Sequence, residues 1–193
     1  MNSALQKQTT EIIEAHKKRV CELQANSLEK IAAAAEAITA ALKHSGTVYI
    51  CGNGGSAADA QHIAAELIGR FKADRKALPA VALTTNSSVI TSIANDYSYQ
   101  QSFSRQVEAL IRKGDVLWAI STSGESENVI AAVESARQKG ACILALTGRG
   151  GSTLEKIADI CICANDKSTA RSQEIHQIAY HIICELVEQN FCK

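Results

Sequence analysis

Five apolar runs, at 47–51, 80–83, 116–120, 142–146 and 160–163, alternate with five stretches of helical character at 56–71, 102–112, 128–139, 152–157 and 168–188. The runs are too continuous to belong to strands that show one face to water. Strands apolar on both sides and joined through helices need a parallel sheet covered on both faces. The expected fold is α/β, a three-layer sandwich around a five-stranded parallel sheet of the flavodoxin/Rossmann-like class. At 193 residues the chain makes one such domain, 1–193, with its α/β core at 46–193.

Ahead of the core lies a helical arm at 1–45. Residues 3–43 are rich in Ala, Leu, Glu, Gln and Lys, lack proline, and are stopped by Gly46. Their length suggests two helices, with a break near Asn26-Ser27. Ile12, Ile13, Val20, Leu23, Leu28, Ile31, Ala34 and Ile38 recur at helical spacing. That stripe must be buried against the chain's own sheet or against a second subunit, so the arm is expected to serve oligomerisation.

Charge narrows the partners. Twenty basic and twenty acidic residues cancel, which gives no general attraction to nucleic acid or to an anionic membrane. The first residues lack an apolar signal core, and no apolar run spans a bilayer. The seven cysteines include no C-x-x-C pair, and most sit in apolar runs such as Ile160-Cys161-Ile162-Cys163. They read as small buried hydrophobes in a reducing compartment. A soluble, cytoplasmic protein with no nucleic-acid and no membrane partner is expected.

Two loops stand at strand ends. Cys51 leads into Gly52-Asn53-Gly54-Gly55-Ser56, and Ile120 leads into Ser121-Thr122-Ser123-Gly124-Glu125-Ser126. Glycine lets a backbone approach a ligand closely, and a helix start offers free N–H groups to an anion. The serine loop supplies four hydroxyls, which can hold a phosphate without lysine. Together the loops suit one polyhydroxylated, phosphorylated small molecule. Gly52-x-Gly54 loosely matches a dinucleotide fingerprint. The acid about twenty positions on, Asp74, comes before the next strand rather than at its end, so no nucleotide cofactor is expected.

Two helices carry the candidate chemistry. His62 and Glu66 share a face of the helix that leaves the glycine loop. Gln173, Gln177 and His181 share a face of the last helix, with His176 at its edge. His181 lies in an otherwise apolar stretch, where a polar group needs a partner or a task. Such a set can supply a general base, a general acid and metal ligands.

These segments resemble the sugar isomerase (SIS) domain family over nearly the whole chain. The resemblance rests on Cys51-Gly52-Asn53-Gly54-Gly55-Ser56, Ala94-Asn95-Asp96-Tyr97, Ser121-Thr122-Ser123-Gly124-x-Ser126-x-Asn128, Leu146-Thr147-Gly148 and Gln173-Glu174-Ile175-His176. Within the family it is to the branch that interconverts D-sedoheptulose 7-phosphate and D-glycero-D-manno-heptose 7-phosphate, a step toward the heptose of lipopolysaccharide core. The resemblance implies a homotetramer with active sites shared between subunits, and one zinc per subunit on His62, Glu66, Gln173 and His181. It implies substrate contacts at Asn53, Gly54, Gly55, Ser56, Glu66, Asn95, Asp96, Ser121, Thr122, Ser123, Ser126 and Gln173. Glu66 is expected to be the carbon base and His181 its acid/base partner.

Two positions depart from the family pattern. Glu125 stands where Asn is more usual, and it is expected to point to solvent, away from a phosphate. The segment 168–172 lacks an acid that some relatives have there. The rival class is a non-catalytic SIS protein that associates with the bacterial replication initiator. That branch lacks the catalytic carboxylate, which Glu66 supplies here.

Overall fold

The computed structural model describes residues 2–192. Its single parallel sheet is built from β1 (Val48–Gly52), β2 (Ala80–Ala82), β3 (Val116–Ser121), β4 (Cys142–Thr147) and β5 (Ile160–Cys163), in the order β2-β1-β3-β4-β5. Around it lie α1 (Asn2–Lys43), α2 (Gly55–Ile68), α3 (Ser87–Asp96), α4 (Ser104–Leu110), α5 (Glu127–Gln138), α6 (Thr153–Ile157) and α7 (Thr169–Gln189). The expected α/β sandwich is present.

The period-2 alternation of each strand divides the core. Val48, Ile50, Val116, Trp118, Ile120, Leu144, Leu146 and Ile162 pack against α1, α2 and α7. Tyr49, Cys51, Leu117, Ala119, Ile143, Ala145 and Cys161 pack on the other side, against α4, α5 and α6. Every residue of β1 and β3 is buried, which is why their sequences are continuously apolar rather than alternating. Register is fixed by Val48 pairing with both Ala80 and Val116, and by Leu144 pairing with Ile160. Strand order reverses between β1 and β3, so the loops leaving these two strands splay apart and open a crevice at their carboxyl ends.

Two elements differ from the sequence expectation. The arm is one helix of 42 residues, not two, roughly 63 Å long at 1.5 Å per residue. Asn26 and Ser27 do not break it. The Asn26 side chain donates to the Glu22 carbonyl, and Ser27 is buried. Around them Leu23, Ile31, Ala34, Ala35, Ile38 and Leu42 enter the core beside α7, and that burial outweighs a modest loss of helix propensity. The helix stops as expected before Gly46, whose N–H donates to the Ala41 carbonyl at 2.8 Å. A Cβ at Gly46 would lie 2.8 Å from the Gly114 carbonyl oxygen. The second difference is α3, which the apolar pattern does not signal because Ile93 is its one buried residue.

Candidate active site

The crevice at the β1/β3 reversal is a cleft of about 260 Å³ lined by Asn53, Gly54, Gly55, Ser56, Ile120, Ser121, Thr122, Ser126, Thr169 and Gln173. Three helices begin on it: α2 at Gly55, α5 just after Ser126, and α7 at Thr169. None of the lining residues carries a charge. Positive potential in the cleft therefore comes from helix N-termini, a setting that suits a phosphate.

Glycines make this geometry possible at specific points. Gly54 has φ +57 and caps α2. A Cβ at Gly55 would come within 2.1 Å of the Gln173 side-chain nitrogen, so this amide lies directly over the glycine loop. In the serine loop, Ser121 Oγ accepts from the Gly124 N–H at 3.1 Å and hydrogen-bonds Ser126 Oγ at 3.0 Å. Ser126 is the N-cap of α5 but makes no side-chain cap bond, which leaves its hydroxyl turned to Ser121 and the cleft.

Asn53 is held by Asn128, a member of the serine-loop motif, and by Tyr99, which lies outside the motifs. Asn53 and Asn128 exchange amide hydrogen bonds of 2.8 and 2.9 Å, and the Tyr99 hydroxyl donates to Asn53 Oδ1 at 2.8 Å. Asn128 is buried and also donates to Ser102 Oγ. Its signal in the sequence was its place at the start of a helix after a ligand loop. Thr169 had the same signal at the start of α7. Tyr99 had none, because it sits in a 3-10 turn at Tyr99–Gln101.

Three of the four expected metal ligands converge. One ligand atom each from His62, Glu66 and His181 lie within 4.8 Å of one another, all partly exposed. His62 Nε2 is 2.9 Å from Glu66 Oε1, and the His62 and His181 rings meet edge-on with centroids 5.0 Å apart. Burial, then the charge of His62, hold the His181 imidazole below its ordinary pKa, while Glu66 pulls it up. Two imidazoles and a carboxylate form a donor set that suits zinc and leaves a position open for a further ligand. Gln173 lies two turns before His181 on α7, in the cleft.

Other expected site residues lie elsewhere. Ser123 does not line the cleft; its hydroxyl bonds Ser121 and accepts from the Glu125 N–H. Asn95 and Asp96 are exposed at the end of α3, where Asn95 donates to Asp96. Glu125 is exposed and turned to α6, accepting from the Thr153 N–H and hydroxyl. Those two bonds hold its carboxyl below the usual value. His176, expected at a face edge, is fully buried and donates from Nε2 to the Thr147 carbonyl at 3.0 Å.

The sheet order and the uncharged cleft define an α/β protein whose β1/β3 crevice suits a small polar anion. The family model described as SIS domain matches residues 11–148. The phosphoheptose isomerase of Roseiflexus sp. is 49% identical over 90% of this chain and 86% of its own length. The solved phosphoheptose isomerase of Neisseria gonorrhoeae superposes with TM-score 0.90 at 40% identity, covering 96% of this chain and 99% of that one. That of Francisella tularensis gives TM-score 0.92 at 35% identity, covering 98% and 100%. The chain belongs to the SIS domain family, in its phosphoheptose isomerase branch.

Proposed function

We propose that this protein is an aldose–ketose isomerase that interconverts D-sedoheptulose 7-phosphate and D-glycero-D-manno-heptose 7-phosphate through an enediol. The observation that carries the reading is the pairing of an uncharged, helix-capped cleft with the His62–Glu66–His181 cluster on two of the helices that begin there. From Ser56 at the cleft to His62 and Glu66, α2 rises roughly 9 and 15 Å. An open-chain sugar with phosphate at one end and its reacting carbons at the other fits such a span.

Each residue then has a task. Ser121, Thr122, Ser126 and the N-termini of α2, α5 and α7 bind the phosphate and fix the register of the chain. Asn53, locked by Asn128 and Tyr99, and Gln173, laid over Gly55, orient the hydroxyls. Asn95 and Asp96 take part from the α3 end, and Ser123 holds Ser121 in place. Glu66 takes a proton from C1 of the ketose and returns it to C2. His181 gives a proton to O2 and accepts the one from O1. Zinc bound by His62, Glu66, His181 and Gln173 would supply Lewis-acid stabilisation of the charge that develops on the two oxygens.

The same reading makes the protein a homotetramer working in the cytoplasm. Leu5, Ile12, Ile13 and Leu28 are exposed on α1, a stripe that a partner subunit would cover. All seven cysteines are unpaired, which fits a reducing compartment. Among the described residues no helix is long and apolar enough to cross a membrane.

The test is exchange of the C1 proton of sedoheptulose 7-phosphate with solvent deuterium. Wild type should catalyse exchange and turnover together, and Glu66→Gln should lose both while still binding the sugar. Exchange that persists in Glu66→Gln would assign the base elsewhere.

A further inference from the structure

Tyr180 is fully buried on α7, yet it carries a hydroxyl. A phenol there costs stability unless its O–H finds a partner. Two partners lie in reach: His62 Nδ1 at 3.1 Å and Asp59 Oδ1 at 3.5 Å. The ring packs edge-on against both His62 and His181, with centroids 5.6 and 4.7 Å away. Asp59 stands on α2 one turn before His62, and its Oδ2 is buried with no hydrogen-bond partner among the described residues. Asp59, Tyr180, His62 and Glu66 thus form one row that ends at the candidate metal ligands.

We propose that Tyr180 is a positioning residue which, together with Asp59, selects the His62 tautomer that leaves Nε2 open to a divalent metal ion. The inference rests on the metal reading of the His62–Glu66–His181 cluster.

Counting protons shows why. A neutral imidazole has one N–H and the phenol has one O–H. In one arrangement Tyr180 donates to His62 Nδ1, and His62 Nε2–H donates to Glu66 across the 2.9 Å contact. Nε2 then has no lone pair to offer, and Asp59 receives nothing. In the other arrangement His62 Nδ1–H donates to the Tyr180 oxygen, and Tyr180 O–H donates to Asp59. Asp59 gains a donor, and the Nε2 lone pair faces the Glu66 carboxylate with no proton between them. Two acceptors that close repel until a cation sits between them. The second arrangement is the one a metal selects, and the Asp59–Tyr180 pair lowers the cost of reaching it. Partners behind a ligating histidine commonly contribute 10–100-fold in metal affinity.

Cobalt(II) titration of the metal-stripped full-length protein, read by visible absorption, tests this in wild type, Tyr180→Phe, Asp59→Asn and the double variant. Expected is a roughly 10–100-fold loss of cobalt affinity in Tyr180→Phe, with the melting temperature of the metal-free protein unchanged or raised. Asp59→Asn should weaken binding in the same direction, and adding it to Tyr180→Phe should cost little more, because the two act as one relay. Asp59 is only partly buried, so that variant keeps the test open if Tyr180→Phe does not fold. Nitrogen NMR of the His62 ring should show the proton on Nδ1 in the zinc-loaded wild type. Cobalt affinity within twofold of wild type in the single variants, or the proton on Nε2 in the zinc-loaded wild type, would overturn the relay while leaving the metal site standing. A wild type that binds no cobalt would remove the metal reading itself, and the relay with it.

Discussion

Ser126 and His176 show how differently two polar residues are used in one site region. Ser126 keeps its hydroxyl free of capping and turned to the cleft. Ser126→Ala should raise KM about tenfold while leaving kcat within about threefold, the signature of a lost bond to a bound anion; steady-state kinetics would show it, and a selective fall in kcat would speak against phosphate anchoring. His176 does no chemistry. Burial pushes its imidazole down to about 4 against the pull of its bond to the Thr147 carbonyl, and Nδ1 has no hydrogen-bond partner among the described residues. The fold therefore binds fewer protons than the unfolded chain between that value and the ordinary histidine pKa. Its stabilising contribution is complete above about 6.5 and is lost as pH falls toward 4, by up to about 3 kcal/mol. Urea unfolding at pH 7 and pH 5 should show the fall, and His176→Gln should flatten it. Helical spacing made the His62–Glu66 pair legible and an apolar setting singled out His181, but only the family resemblance joined the two helices in one site. The sequence did not reveal Asp59 or Tyr180, and it marked Asn128 without its role, because these roles depend on which side chain of another element they meet.

Among the elements, the turn after α2 shows how the site helix is held. Glu188 of α7 is 3% exposed and accepts from the N–H groups of Phe71, Lys72 and Ala73. Burial pushes its carboxyl up, but those three donors and Arg75 outweigh burial and hold it down. Arg75, whose side chain is also buried, lies 3.4 Å from Glu188 and donates to the Glu66 and Leu67 carbonyls at the end of α2. Glu188→Ala would leave the guanidinium without its anion and should cost about 3–5 kcal/mol. Denaturant unfolding would measure it, and a loss under about 1 kcal/mol would mean the backbone carbonyls alone hold Arg75. The central strands β1 and β3 were readable because full burial makes them continuously apolar. The unbroken α1 was not, because its continuity through Asn26-Ser27 comes from packing on α7, which local propensity cannot report. The short α3 buries too little to leave a stripe, and its trace was Asn86, the N-cap that accepts from the Val89 N–H.

For the whole molecule, the front of α1 stands clear of the core with Leu5, Ile12 and Ile13 exposed. In the tetramer reading these side chains are covered. Ile12→Asp together with Ile13→Asp should shift the sedimentation coefficient toward smaller species without unfolding the monomer, whereas an unchanged assembly would place the interface elsewhere. The overall fold was legible because strand–helix alternation implies a parallel sheet with its loops at the strand ends, whereas the strand order, and with it the β1/β3 crevice, is set by packing that local pattern does not report. On assembly the sequence offers only an unpartnered apolar stripe. The central claim, a metal-assisted isomerase acting at the β1/β3 crevice, meets its most direct test in turnover of sedoheptulose 7-phosphate by the purified protein as isolated, after chelation, and with zinc restored. Expected is turnover that disappears on chelation and returns with zinc. A folded, zinc-loaded protein that leaves the sugar phosphate unchanged would contradict the claim.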